Sequence, residues 1–130
     1  MANEINIQAT LTLQKYSPAL QGVGDLTITQ TGTKCVSNVV NVGTSSPNAV
    51  IQIEGTTAIA YLFVKNLDSA AWDTGKFVEI GLDNGNPPTQ IIARLRAGEF
   101  CLIPVKAGAT AFYARATGAT PDICYVAACA

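Results

Sequence analysis

The chain has 130 residues, with 8 Lys and Arg against 9 Asp and Glu, no histidine and a formal net charge of −1. No basic stripe is available to grip a phosphate backbone, so nucleic acid is not an expected partner. The missing histidine removes every histidine-activated nucleophile. Apolar residues make up 48% of the chain and charged residues only 13%, about half the usual charged share. Such a balance fits either a Thr, Ser, Asn and Gln exterior or surfaces that another protein covers. No run reaches the ~18 apolar residues of a membrane span. The opening Met-Ala-Asn-Glu lacks the basic start and apolar core of a secretory signal, so the chain is expected to be made in a cytoplasm, with no membrane partner.

From Glu4 to Gln14 the odd positions Ile5, Ile7, Ala9, Leu11 and Leu13 are apolar and the even ones polar, the period of a strand with one buried face. Residues 3–15 are therefore expected to be the first strand, ended by Ser17-Pro18 and Gln21-Gly22. Alternation resumes over 25–31, and 35–42 and 50–54 read as strands around the loop 43–49. Residues 58–65 are the most continuously apolar run, expected to be a strand buried on both faces or nearly so. Strands follow over 77–82, 89–96, 99–105, 111–116 and 123–129, with Asp83-Asn-Gly-Asn-Pro-Pro88 as the strongest turn signal. Short strands at regular spacing, punctuated by Gly and Pro, predict an all-β chain. We expect an antiparallel, jelly-roll-like β-sandwich of about nine or ten strands, forming a single domain over 1–130. Residues 1–15 are expected to be an edge strand or a subunit-exchanging arm, because an edge row of backbone donors and acceptors recruits partners.

Candidate chemistry is sparse. Asp73-Thr74-Gly75 copies the aspartic protease triplet, but it follows Ala-Ala-Trp rather than a β-branched strand, and Asp-Thr-Gly is also an ordinary turn. Asp68, Asp73, Asp83, Asn84 and Asn86 offer hard oxygen ligands, without calcium-loop spacing, and turn initiation accounts for all five. Trp72 with Tyr61, Tyr113 and Tyr125 suggests a sugar-stacking platform, or else core caps and subunit anchors. Arg94 and Arg96 share a strand face where Glu79 or Glu99 can pair with them. Cysteines at 35, 101, 124 and 129 form no Cys-x-x-Cys pair, which argues against zinc. Cys101 and Cys124 sit in apolar strand patterns, as buried free thiols do. No catalytic residue, cofactor or metal is expected, and the residues chosen as interface candidates are Ile5, Ile7, Trp72, Arg94 and Arg96.

Several blocks carry a resemblance: Tyr61-Leu-Phe-Val-Lys-Asn-Leu-Asp68, Phe77-Val-Glu-Ile-Gly81, Ala93-Arg-Leu-Arg-Ala-Gly-Glu-Phe-Cys-Leu-Ile-Pro-Val105 and Phe112-Tyr-Ala-Arg-Ala116. Together they cover about half the chain, and they resemble small virion structural proteins of tailed bacteriophages. The resemblance implies a non-enzymatic β-sandwich on the capsid surface of a virion. The favoured role is a decoration (cement) protein whose partner is the major capsid protein. It also implies a homo-oligomer, with a trimer favoured at a local threefold axis. The alternative is a tail or fibre component with a lectin-like, glycan-binding role.

Overall fold

The computed structural model describes residues 4–13, 20–29, 35–45, 49–52, 61–69, 76–83, 88–105, 111–118 and 120–128. Among them every regular element is a strand and every pairing is antiparallel. The strands are β1 (Glu4–Leu13), β2 (Leu20–Thr29), β3 (Cys35–Asn41), β4 (Ala49–Gln52), β5 (Tyr61–Asn66), β6 (Phe77–Gly81), β7 (Ile91–Arg96), β8 (Phe100–Pro104), β9 (Ala111–Ala116) and β10 (Asp122–Ala128). The all-β expectation and the strand count are borne out. The chain forms two compact units, Met1–Thr33 and Lys34–Cys129.

The first unit is built on a two-stranded sheet, β1 with β2, paired from Glu4↔Thr29 to Leu13↔Leu20 without a bulge. Directly opposed residues of an antiparallel pair share a face. The rows Ile7–Leu26, Ala9–Gly24 and Leu11–Gly22 therefore lie on one face, and Asn6–Thr27, Gln8–Asp25 and Thr10–Val23 on the other. Across the polar face the Thr27 hydroxyl donates to Asn6 Oδ1 at 2.9 Å. Strand β2 begins at Leu20 and runs through Gly22 and Gly24, where the sequence suggested a break before residue 25. An unbroken ladder with β1 outweighs the weak strand preference of glycine.

The second unit holds two four-stranded sheets, ordered β3-β10-β5-β8 and β4-β9-β6-β7. Pairing is nested: β6 with β7, β5 with β8, β4 with β9 and β3 with β10. The second half of the unit thus runs back antiparallel along the first, like a ribbon folded double. One core lies between the sheets. Leu62, Val64, Ile123, Tyr125 and Ala127 come from one side, and Ile51, Val78, Ile80, Leu95, Phe112, Ala114 and Ala116 from the other, all buried. Sheet-on-sheet burial of this kind is the main stabilising term, at ~25 cal/mol per Å² of apolar area.

Asn66 is the polar exception, only 1% exposed. Its Nδ2 donates to the Leu95 carbonyl at 3.1 Å, and its Oδ1 accepts the Asp68 amide at 3.0 Å. Its backbone N–H donates to the Glu99 carbonyl and its carbonyl accepts from Gly98 N. One side chain therefore ties the end of β5 to the last turn of β7, in the opposite sheet.

Candidate functional site

Each sheet of the second unit turns one face to the core and one outward, and the two outward faces differ in chemistry. In the sheet β3-β10-β5-β8 the register aligns Val39, Cys124, Lys65 and Phe100 in one outward row, and Ser37, Val126, Phe63 and Leu102 in the next. Tyr61 lies beside Pro104 and Ala128 in a third. Phe100 is 63% exposed, Val39 55%, and Leu102 and Val126 38% each. The Phe63 and Phe100 rings meet on this face at 5.8 Å between centroids, tilted by 31°. Lys65 is the only charged residue in these rows. Four strands at about 4.8 Å and three rows at about 6.8 Å make a face of roughly 400 Å² in plan, Lys65 and Ser37 included. Apolar patches of that order occur on monomeric proteins and are often functional.

The outward face of β4-β9-β6-β7 is charged along its middle. Glu79 stands directly between Arg94 and Arg115 in the cross-strand register. Its Oε1 accepts from Arg94 Nε at 3.0 Å. Glu79 is buried although it points outward, while the Arg94 side chain is 61% exposed. The Arg94 guanidinium also stands 5.3 Å from the centroid of the Phe77 ring, within the range of a cation–π contact. Arg115 Nε donates to the Thr44 carbonyl at 3.3 Å. The expected pairing of Arg94 with Glu79 is therefore present. Glu99 instead accepts the Arg96 backbone N–H through Oε2 at 2.7 Å, closing the β7–β8 turn.

The remaining candidates disperse. Ile7 is half-buried on β1, and Arg94 and Arg96 are exposed on β7. Ile5 pairs with Ile28 in the hairpin, its side chain lying outside the described set. Trp72, Asp73, Thr74, Gly75, Asn84 and Asn86 also lie outside the described residues. Tyr125 is buried in the core, while Tyr61 and Tyr113 lie on outward rows of different sheets, so these tyrosines do not form a platform. The Asp83 carboxylate is taken up locally: Oδ1 accepts the Thr89 amide, and Oδ2 accepts the Thr89 hydroxyl and the Gln90 amide, at 2.7–3.0 Å. That is the turn-closing role expected of it. Among the described residues no three His, Cys, Asp or Glu side chains group as metal ligands.

Cys101 and Cys124 are free thiols, as expected, but half-buried rather than buried. Cys101 packs against the core on the inward face of β8, and this burial pushes its thiol above the usual range despite a backbone hydrogen bond at Val64. Cys124 lies on the outward, apolar face opposite Lys65. The apolar outward face was missed from the sequence. Its signal is the run of apolar residues at both parities in Tyr61-Leu-Phe-Val64 and Phe100-Cys-Leu-Ile103, which suggests strands buried on two sides. In the structure only one side is buried by the chain itself: Leu62 and Val64 are at 0% exposure, whereas Lys65 and Phe100 are exposed. Comparison with known proteins finds no matching family model, no matching curated protein and no matching solved structure.

Proposed function

We propose that this chain is a non-enzymatic structural protein that packs onto a larger protein assembly through the outward face of β3-β10-β5-β8. In this reading the assembly is a bacteriophage capsid and the chain a decoration protein that contacts the major capsid protein. The observation that carries the reading is the contrast between faces: Val39, Phe100, Leu102 and Val126 exposed beside half-buried Phe63 on one sheet, and an arginine–glutamate ladder on the other. Among the described residues only Lys65 and Asp122 bring charge to the first sheet's outward side, less than a protein that only needed to stay dispersed would place there. The resemblance to small phage virion proteins supplies the identity of the assembly. The nested strand order supports reading the second unit as a jelly roll. A lectin-like tail role draws no support from the three tyrosines.

A decoration protein needs no reacting group. It binds the intact lattice and not the loose subunits, and it stabilises the shell by mass action. The test is co-sedimentation of purified protein with assembled shells and, separately, with dissociated major capsid protein. Binding to shells alone is expected. Phe100→Asp with Leu102→Asp is expected to weaken it by about tenfold or more, whereas Val50→Asp, on the other sheet, leaves it unchanged. Equal binding of both variants would remove the apolar face from the account.

A further inference from the structure

The hairpin β1–β2 presents a second apolar surface that the virion reading does not use. Its apolar rows are Ile7–Leu26, Ala9–Gly24 and Leu11–Gly22. Leu11 is 66% exposed and Leu26 46%. A two-stranded ribbon with one bare apolar face is marginal in water until something covers that face.

Two glycines indicate what covers it. Gly22 and Gly24 sit mid-strand, where glycine weakens a ladder and often marks a close approach by another backbone. Neither has the left-handed φ that would require glycine, and an added Cβ at either would meet nothing within 4 Å. They lie in the same rows as Leu11 and Ala9, so the face has a bulky side and a hollow side.

From this geometry we infer that the hairpin is a self-association element, its apolar face closed by the same face of a second copy of this chain. Two such faces stacked about a twofold axis along the strands lay β1 of one copy over β2 of the other. Leu11 of each copy then fills the hollow at Gly22 of its mate, and Ala9 stands over Gly24. An unrelated partner would have to supply that complement, whereas a second copy carries it already. No charged residue lies in these rows, so identical faces do not repel, and Asp25 lies on the other face. A ten-residue ribbon is about 34 Å long and about 10 Å wide. Two stacked faces cover roughly 700 Å² in plan, the size of a weak, concentration-dependent interface. The contact is isologous, so it yields even-numbered assemblies, unlike the trimer that the resemblance implies. The inference does not depend on the virion reading.

The test is the mass of the full-length protein by light scattering at tens of micromolar, with near-UV circular dichroism to confirm that the second unit stays folded. The wild-type chain is expected at twice its 13.5 kDa mass or an even multiple of it. Leu11→Glu is expected to weaken self-association by about tenfold or more. Val23→Glu, on the opposite face at 69% exposure, is expected to leave it unchanged. Gly22→Val adds apolar area and strand preference, so it does not disrupt the hairpin, yet it fills the hollow and is also expected to weaken association about tenfold. A wild-type monomer or a trimer overturns the inference. So does a Gly22→Val protein that associates as well as or better than wild type, or a Val23→Glu protein as impaired as Leu11→Glu.

Discussion

Replacing Asn66 with alanine removes a buried polar side chain that ties the two sheets together. Two hydrogen bonds disappear, to the Leu95 carbonyl at 3.1 Å and from the Asp68 amide at 3.0 Å. Asp68 is only half-buried and water can reach its amide. The Leu95 carbonyl belongs to a residue that is 4% exposed, and it loses its partner from the other sheet while Leu95 stays paired with Val78. Two lost hydrogen bonds cost about 1–3 kcal/mol together, and the small cavity adds about 1 kcal/mol, so the expected loss is about 2–4 kcal/mol. For a unit of this size that lowers Tm by roughly 10–20 °C. Asn66→Asp is a sharper probe. Its carboxylate can still accept from Asp68, but it meets the Leu95 carbonyl oxygen where Nδ2 donated, and it can donate there only when protonated. Folding would then raise this pKa above the unfolded ~3.9. The penalty is therefore full at neutral pH, shrinks as pH falls through the folded value, and is gone below about pH 4. Urea unfolding of wild type and both variants at pH 7 and pH 4 measures this. A loss under about 0.5 kcal/mol for Asn66→Ala, or an Asn66→Asp protein no more stable relative to wild type at pH 4 than at pH 7, would refute the reasoning.

Gly81→Ala is expected to cost about 2 kcal/mol or more in the same assay, because the added Cβ runs into the Pro88 ring, a contact that a packed turn cannot relieve cheaply. Arg94→Ala leaves the buried Glu79 carboxylate without its 3.0 Å partner. Its expected cost is about 1 kcal/mol, modest because the arginine side is open to solvent, and it should show as a fall in Tm of a few degrees. In a background where Cys35, Cys124 and Cys129 are serine, Cys101 is expected to react slowly with an aromatic disulfide reagent at pH 8. Burial holds its thiol protonated beyond the ordinary range, so the rate climbs only in more alkaline buffer. Rapid labelling at pH 8 would show that the packing around it opens readily.

Much of the fold was legible because strand alternation is a local signal. Ile5 to Leu13 announced β1, and Leu95 between Arg94 and Arg96 announced which face of β7 is buried. The residues Ala111–Ala116 form the strand expected of them. What misled were residues whose behaviour depends on a neighbour far away in sequence. Gly22 reads as a breaker in isolation, but ten consecutive partners on β1 hold it in a strand. Residues 61–64 read as buried on both faces, because hydrophobicity reports that a side chain avoids water and not whether its own chain or another covers it. The pairing of Glu79 with Arg94 was legible as one of two options, since only the register decides between Glu79 and Glu99. The tyrosines did not form a platform because their strands lie on different faces, a matter of topology that no spacing of four aromatics reveals. Asn66 carried a faint signal in Asn-Leu-Asp, the spacing of a side chain capping its own turn. Its bond to Leu95 crosses between sheets and is visible only in the fold.

The proposal that the apolar sheet face serves a shell-binding structural protein of a phage is tested most directly by counting this chain in virions purified from its source. Quantitative mass spectrometry against the major capsid protein gives the ratio. A decoration protein that occupies symmetry-related sites over the shell is expected at copies on the order of hundreds per particle. Absence from the virion, or only a handful of copies confined to the tail, would contradict the account.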